Sequence, residues 1–332
     1  MTSALKIIGY TALTLGIGAA VTGYTTSQRT MAAQKAYPPI GEFVDVAGGK
    51  VHYLRAGSGP ELILLHGAGG NIHDWTFHLF ERLTEDYTVT AFDRPGLGYT
   101  DRVPGIETGP FATAGDSPQA QAKMLREAAG KIGIKDPVVV GHSFGGIVAL
   151  AWANAGLDVV ADNNAKALVS ISGVAMPWPG GLGGYYTVNG SAFGGAVAIP
   201  VISAIATDSM VESSVASVFA PNPLPDGYNE HIGTRLSLRP ASFRANVRQV
   251  NTLRPNVVEI AKRYPELTLP IELLHGREDQ TVPIDVHAHE IIKIVPTARL
   301  QELKGVGHMP HHIAPDAAIA TIGRAMDRAG LR

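Results

Sequence analysis

The feature that constrains this chain most is an apolar strand that runs directly into a helix, with a serine at the junction. Residues 137–140, a proline and three valines, predict a short buried strand, and residues 147–155 predict an alanine-rich helix. Gly141 and Gly145 stand two positions before and after Ser143. A turn this abrupt strains the backbone at Ser143, so the neighbours two positions away must be small. We therefore expect the Ser143 hydroxyl to stand clear of the backbone at the positive end of a helix dipole.

Two loops near the end of the chain carry further reactive side chains. Residues 270–275 predict a buried strand, and Gly276-Arg277-Glu278-Asp279 follows it. Residues 299–303 predict the last strand, which leads into a Gly-x-Gly-His-x-Pro loop that contains His308. Strands and helices alternate along much of the chain, and this alternation predicts a parallel, doubly wound sheet.

With their chain order of serine, aspartate and histidine, these motifs resemble those of the α/β-hydrolases. The resemblance extends from about residue 40 to the end and implies a single hydrolase domain over 41–332. It implies the α/β fold class, with a mostly parallel eight-stranded sheet flanked by helices. It also implies a helical cap insertion at about 176–263 that shapes the substrate pocket. The alternative for this insertion is a set of surface excursions with no part in substrate choice.

The resemblance also assigns catalytic roles. It implies that Ser143 is the nucleophile, that His308 is the base that takes its proton, and that Asp279 orients His308, with Glu278 as the fallback for the acid. The activity implied is that of a serine hydrolase cleaving carboxylic esters through an acyl-enzyme. A lactonase, a C–C bond hydrolase or a haloperoxidase-like side activity would use the same residues. A serine at 143, rather than an aspartate, argues against the epoxide-hydrolase and haloalkane-dehalogenase branches.

A non-catalytic member of the fold that binds a partner or ligand is the alternative from another class. An intact set of Ser143, Asp279 and His308 argues against it, since degenerate members usually lose the serine or the histidine. The small-molecule partner expected from the first reading is an ester or lactone. Acyl size and oligomeric state do not follow from the sequence.

Backbone donors for the oxyanion are expected in a loop after the aliphatic residues 62–65, which predict a central parallel strand. The family takes one N–H group from the residue after a His-Gly pair, here Ala68, and the other from the residue after the nucleophile, here Phe144. The alternative for this loop is an ordinary glycine turn. His66, His142 and Asp93 are expected to be structural.

Composition excludes several kinds of site. The chain has 27 Lys and Arg against 29 Asp and Glu with no basic stripe, so we expect no nucleic-acid partner. It has no cysteine, which excludes disulfides, iron–sulfur clusters and zinc–thiolate sites. The patterns His287-x-His289 and His308 with His311 and His312 match no metalloenzyme motif. We therefore predict no metal and no cofactor.

The first residues have a different character from the rest. Residues 7–24 are uncharged and largely apolar, which suits a membrane anchor or the core of a signal peptide. Residues 1–25 are therefore predicted to be an anchor or signal, followed by a linker over 26–40. A buried helix of the globular domain is the alternative. The prediction implies membrane association through 7–24, or export, with anchor and cleaved signal both left open.

Overall fold

The computed structural model of this chain describes residues 3–159 and 161–332 and confirms the predicted eight-stranded α/β sheet. The strands are β1 (Glu42–Val46), β2 (Gly49–Ala56), β3 (Glu61–Leu65), β4 (Thr88–Phe92), β5 (Val138–His142), β6 (Ala167–Ile171), β7 (Ile271–Gly276) and β8 (Ala298–Leu303). Their order across the sheet is β1-β2-β4-β3-β5-β6-β7-β8. Strand β2 is antiparallel to both of its neighbours. The six strands β3 to β8 all run parallel to one another.

Helices surround the sheet and form the segment between β6 and β7. The α-helices are α1 (Ser3–Ala36), α2 (His73–Thr76), α3 (Phe80–Thr84), α4 (Pro118–Lys131), α5 (Phe144–Asp158), α6 (Gly183–Asn189), α7 (Ile199–Ile205), α8 (Asp208–Phe219), α9 (Tyr228–His231), α10 (Pro240–Asn251), α11 (Leu253–Ala261), α12 (Ala288–Ile294), α13 (Pro310–Ile313) and α14 (Pro315–Arg328). A π-helical turn covers Gly194–Ala198, and 3₁₀ turns cover Thr234–Leu236 and Tyr264–Glu266.

The apolar runs of the sequence become the central strands because helices cover both faces of the sheet. Four of the five residues of β3 and all five of β5 are buried, and the two strands pair in parallel. Alternate residues of β5 enter different clusters: Val139 packs with α4 and α5 on one face, whereas Val138 and Val140 pack towards α14 on the other. The carboxyl ends of these strands therefore meet at one edge of the sheet, which is where the reactive loops begin.

Local start signals in the sequence are confirmed at α4. The Ser117 hydroxyl accepts a hydrogen bond from the Ala120 N–H, and Pro118 occupies the first helical position. The cap insertion is helical, as predicted, and comprises α6 to α10 together with the short turns between them. The last part of the predicted insertion belongs to the main domain rather than to the cap, because Leu253, Val257 and Ile260 of α11 pack into the main core beside α4 and α5.

The predicted linker over 26–40 is wrong for most of its length, because α1 continues without a break to Ala36. Thr26 and Ala33 are buried, and Arg29 donates to the carbonyls of Ser203 and Ala206 at the end of α7. These contacts fix the second half of α1 against the cap. Along the chain, residues 37–41 separate this helix from β1.

Most side chains in the first half of α1 are exposed rather than buried, so the alternative of a buried domain helix is also wrong. Residues 1 and 2 of the predicted anchor or signal lie outside the described residues. Among the described residues, no single helix combines the length and apolar character needed to cross a membrane, whereas the bent pair Gly183–Asn189 and Gly194–Ile205 meets both criteria. Membrane association through residues 7–24 stays a prediction.

Candidate active site

The junction between β5 and α5 has the strained geometry that the sequence predicts. Ser143 has φ 51° and ψ −117°, a conformation that residues with a side chain rarely adopt. A Cβ added at Gly141 would lie 2.2 Å from the Gly145 carbonyl oxygen, and one added at Gly145 would lie 2.1 Å from the Leu65 carbonyl oxygen. Glycine is therefore required on both sides of Ser143 by close approach of the backbone.

We expect Gly145→Ala to destabilise the fold by about 1–3 kcal/mol or more, because the added methyl group meets backbone atoms that have no room to move. A fall in the thermal unfolding midpoint would measure this. Gly181→Ala is the matched control, since a Cβ added at Gly181 has no neighbour within 4 Å. Equal midpoints for the two variants would contradict the steric requirement at the junction.

An acid and an imidazole meet beyond the carboxyl ends of β7 and β8. His308 Nδ1 donates to Asp279 Oδ2 at 2.8 Å, and both side chains are buried. The other oxygen of Asp279 accepts hydrogen bonds from the backbone N–H groups of Thr281 and Val282. Glu278, the fallback for the acid, instead accepts from the Gly305 N–H at 2.8 Å. The geometry therefore pairs Asp279, and not Glu278, with His308.

Two histidines determine the charge of Asp279. Burial is the largest influence and would by itself raise the pKa of this carboxyl, but hydrogen bonds from His275 and His308 outweigh burial and hold it below its ordinary value. His275 Nε2 lies 3.3 Å from Asp279 Oδ2 and 2.8 Å from the Val282 carbonyl oxygen. Asp279 is thus ionised at neutral pH and keeps the proton of His308 on Nδ1, an assignment made from the hydrogen-bond partner.

The loop after β3 lies directly against the serine junction. A Cβ added at Gly67 would lie 3.1 Å from Ser143 Cβ, and the next residue, Ala68, is exposed towards the cavity described below. The Gly69 N–H donates to Asn246 Oδ1 at 2.7 Å, so a side chain of the cap holds this loop in place. Phe144 begins α5, where first-turn N–H groups have no partner inside the helix.

The loop that carries His308 is held by two residues that stand in no catalytic motif. His142 Nε2 donates to the His308 carbonyl at 3.0 Å, and the two rings lie 4.9 Å apart. The cap residue Asn222 donates to the Gly305 carbonyl and accepts from the Gly307 N–H at 2.8 and 2.9 Å. His142 is structural, as predicted, but its contact positions the imidazole loop itself.

A buried carboxylate beside this loop, Asp74, stands in no sequence motif. Asp74 accepts hydrogen bonds from Tyr228 at 2.6 Å and from His312 at 2.8 Å, and His311 lies 3.4 Å from its other oxygen. The ligand-type atoms of Asp74, His311 and His312 lie within 4.8 Å of one another, a grouping that the sequence did not suggest because its carboxylate comes from α2. Direct hydrogen bonds already join these groups, so they account for the buried charge without an ion.

Two more of the buried histidines serve as hydrogen-bond acceptors. His66 Nε2 accepts from the Arg94 N–H at 2.9 Å, and His287 Nδ1 accepts from the N–H groups of Ala175 and Met176. Burial lowers the pKa of each imidazole to about 4, helped at His66 by the nearby Arg94 guanidinium. Asp93 likewise accepts from backbone groups and from His52, so the structural roles expected for His66 and Asp93 agree with their contacts.

These lowered values predict a loss of stability in weak acid. Between pH 6.5 and about 4, His66 and His287 bind protons in the unfolded chain but not in the folded one. Each of these two histidines therefore lowers the free energy of unfolding by up to about 1.4 kcal/mol for every unit by which the pH falls. Urea unfolding at a series of pH values would measure this slope. His287→Asn keeps an acceptor and removes one titrating group, so its slope should be shallower than that of the wild type; an unchanged slope would contradict the assignment.

A cavity of about 530 Å³ joins these elements. Ser143, His308, Gly67 and Ala68 line its floor, and side chains of the cap form its walls. The wall residues are predominantly apolar and include Tyr186, Ile202, Val211, Val215, Val218, Phe219, Leu238 and Phe243. The arrangement can therefore hold an apolar ligand of substantial size against a strained serine and a carboxylate-paired imidazole.

Comparison with known proteins agrees with this architecture. A model of the alpha/beta hydrolase family matches residues 62–322. A putative aryl esterase of known structure from Burkholderia cenocepacia superposes with a TM-score of 0.67 at 19% identity, covering 88% of this chain and 99% of that one. At this level of identity the superposition shows the fold alone.

Curated relatives cover most of the chain at low identity. An uncharacterised protein of Mycobacterium tuberculosis is 27% identical over 87% of this chain and 82% of its own length. A pimeloyl-[acyl-carrier protein] methyl ester esterase of Vibrio vulnificus is 25% identical, over 80% of this chain and 94% of that protein. A 2-hydroxy-6-oxononadienedioate/2-hydroxy-6-oxononatrienedioate hydrolase of Dechloromonas aromatica is 25% identical, over 78% and 84%. A methyl ester esterase and a hydrolase of an unsaturated dioate thus both occur among its relatives.

Proposed function

The chain belongs to the alpha/beta hydrolase family, and within that family we propose that it cleaves uncharged carboxylic esters through an acyl-enzyme on Ser143. The observation that carries the proposal is the cavity in which the strained Ser143 and the Asp279-paired His308 share one floor. A nucleophile beside a base that is itself oriented by a third group is the arrangement that covalent acyl transfer requires.

The proposed reaction follows from the protonation states at the site. The Nδ1 proton of His308 is directed at Asp279, so Nε2 carries the lone pair that takes the Ser143 proton as the oxygen attacks the acyl carbon. The ester carbonyl oxygen becomes an oxyanion, which the backbone N–H groups of Ala68 and Phe144 stabilise. His308 then gives its proton to the departing alcohol, and later takes one from the water that releases the acid.

The hydroxyl and the imidazole do not need to be bonded before substrate arrives. His308 Nδ1 donates to Asp279, and the His308 carbonyl accepts from His142. Within the part of the chain that the structure describes, no hydrogen bond joins the His308 imidazole to the Ser143 hydroxyl. Contacts between nucleophile and base are often longer in unliganded enzymes and shorten in the substrate complex. Both residues are held from outside the cavity: the Ser143 N–H donates to the Ile171 carbonyl, and the His308 carbonyl accepts from His142 Nε2.

The charge of the cavity favours esters over dicarboxylate substrates. No Lys or Arg is found among the described residues that line it, and Asp74 is its only carboxylate. Burial would raise the pKa of Asp74, but its contacts with His311 and His312 outweigh burial and hold it well below the ordinary value. A doubly charged acid like the one in the name of the Dechloromonas relative's substrate would meet a negative group and no cation. An apolar acyl chain meets matching walls.

Two measurements on the full chain test the proposal. Nitrophenyl esters from acetate to palmitate should be hydrolysed, and the chain-length optimum should reflect the apolar cavity. A fluorophosphonate, which traps activated serines, should stop turnover and add one mass label on Ser143. Ser214→Ala, which removes a serine that lines the same cavity, should be labelled as fully as the wild type.

Other patterns of labelling would contradict the proposal. A label on a different residue would reject Ser143 as the nucleophile. A folded chain with neither label nor turnover on any of the esters would reject the esterase assignment, and would favour a member that binds a ligand without cleaving it.

A further inference from the structure

One face of the cap is covered by exposed apolar side chains, and we call it the apolar cap face. It consists of Tyr185, Val188, Phe193, Val197, Ile205 and Met210. Phe193 and Ile205 are 66% and 62% exposed, and soluble proteins rarely expose several large apolar side chains on neighbouring elements. The face is formed by α6, the π-helical turn, α7 and the start of α8.

Most of the apolar cap face lies in a part of the sequence without charge, and only at its α8 end do the exposed carboxylates Asp208 and Glu212 flank Met210. The sequence contains no Asp, Glu, Lys or Arg from 167 to 207, and none from 7 to 28. The first of these runs contains most of the apolar cap face, and the second contains the first half of α1. Soluble surfaces usually intersperse charges of both signs, so two uncharged runs on one side of a molecule indicate a surrounding other than water.

The two uncharged runs adjoin each other in the structure. Helix α1 packs along α7, and Arg29 of α1 donates to two carbonyls at the end of α7. On the part of α1 that precedes these contacts, Leu13, Leu15, Ile17 and Val21 are more than half exposed. They do not form a single stripe around the helix, so this part of α1 exposes apolar side chains on several sides.

Polar backbone groups at the apolar cap face are satisfied by arginines. Arg29 and Arg235 both donate to the Ala206 carbonyl, at 2.7 and 2.9 Å, and so complete the exposed end of α7. Arg244 donates to the Gly195 carbonyl at 2.7 Å. Carbonyls that would otherwise need water thus have partners within the protein, which an apolar surrounding requires.

The mouth of the cavity opens at the same face. Tyr185 and Met210 line the cavity and are also 55% and 54% exposed. Phe111 extends the surface, because Pro110 lies against Gly195 in the π-helical turn and Phe111 is 70% exposed. Aromatic residues with both an apolar body and an exposed edge are concentrated where proteins meet the headgroup layer of a bilayer.

We propose that the apolar cap face, together with the first half of α1, docks on the surface of a lipid bilayer, so that the cavity receives apolar esters directly from the lipid. Docking itself follows from surface features alone, whereas the delivery of esters rests on the proposed function. A face with few charges, of both signs, and with several aromatic side chains suits a neutral phosphatidylcholine surface, because apolar burial and not charge attraction supplies the binding. A second copy of the chain as the occupant is the outcome that the test must exclude.

Flotation with phosphatidylcholine vesicles tests docking on the full chain. The Ser143→Ala chain is used so that binding does not depend on turnover, and it should float with the vesicles. The cap pair, Phe193→Gln with Ile205→Gln, is then added to this chain; neither residue lines the cavity. The cap pair should weaken vesicle partition by at least about tenfold. Leu13→Gln with Ile17→Gln on the exposed part of α1 should have a similar effect without touching the hydrolase domain.

Leu157→Gln with Val159→Gln is the matched control, since both are exposed apolar residues at the end of α5 that lies farthest from Ser143. This variant should bind vesicles as the parent chain does. Equal vesicle binding by the cap pair and the control pair would overturn the proposal. A chain that ignores vesicles but forms dimers, as measured by light scattering, with the dimer lost in the cap pair, would assign the face to a second copy instead.

Delivery has its own readout with Ser143 present. Hydrolysis of soluble nitrophenyl acetate should be the same for the wild type and the cap pair, whereas hydrolysis of a long-chain ester carried in phosphatidylcholine vesicles should fall at least about tenfold in the cap pair. An equal rate on the vesicle-borne ester would overturn delivery. Vesicle binding without turnover of either ester would overturn the esterase assignment and leave docking in place.

Discussion

Replacing Ser143 by alanine should lower ester turnover by on the order of 10⁶, because it removes the atom that forms the acyl-enzyme. Losing the nucleophile costs about as much as losing the whole catalytic set, since the remaining groups act only through it. The methyl group of alanine fits the site, as Ser143 makes no side-chain capping bond to α5 and the backbone strain is the same for both residues. Initial rates with nitrophenyl butyrate would measure the loss.

Ser214→Ala is the matched control for this variant. Ser214 lines the same cavity, and its hydroxyl donates only to the Met210 carbonyl within its own helix. We expect it to retain activity close to that of the wild type. If Ser143→Ala kept more than about one part in 10³ of the activity, a fraction typical of losing a single oxyanion donor, a covalent role for Ser143 would be rejected.

Asp279→Asn should lower turnover by about 10⁴ while leaving the fold intact, because the amide can donate to His308 and so favours the wrong tautomer of the imidazole. The two backbone N–H groups that bind Oδ1 of Asp279 can bind the amide oxygen equally well. The pKa of Asp279 is held below its ordinary value, so the wild type should show no loss of activity from this group between pH 5 and 8. Steady-state rates across that range would test both statements.

The adjacent carboxylate provides the control. Glu278→Gln makes the same chemical change one residue earlier, but Glu278 bonds to the Gly305 N–H rather than to His308. We expect a loss of less than about tenfold, from a small disturbance of the loop that carries His308. Similar losses in the two variants would show that the acid has been assigned to the wrong residue.

The resemblance to the α/β-hydrolases could assign the candidate site because the motifs that carry it lie close to strand ends. Ser143, Asp279 and His308 each follow a predicted strand, and in a parallel sheet the carboxyl ends of the strands meet at one edge. The glycines beside Ser143 likewise report a local requirement, since the backbone atoms that a Cβ would strike belong to the junction itself or to the neighbouring strand. Patterns of this kind depend on a few adjacent residues.

The residues that hold the site were not readable in the same way. Asp74 and Tyr228 are far apart in the sequence, and Asn222 and Asn246 reach their loops from the cap. None of them stands in a motif, because each acts through one side-chain hydrogen bond to a distant segment. The linker prediction failed for the same reason: residues 26–36 are polar enough for a linker, yet their contacts with α7 keep them helical.

The sequence by itself determined the sheet, its covered faces and the loops that present Ser143, Asp279 and His308, because hydrophobic periodicity and backbone strain act over short distances. Only the tertiary structure decided which carboxylate meets His308, how the cap closes over the cavity, and where α1 lies. These depend on pairs of segments brought together by folding, and the free energy of such contacts is set by geometry that no local pattern encodes.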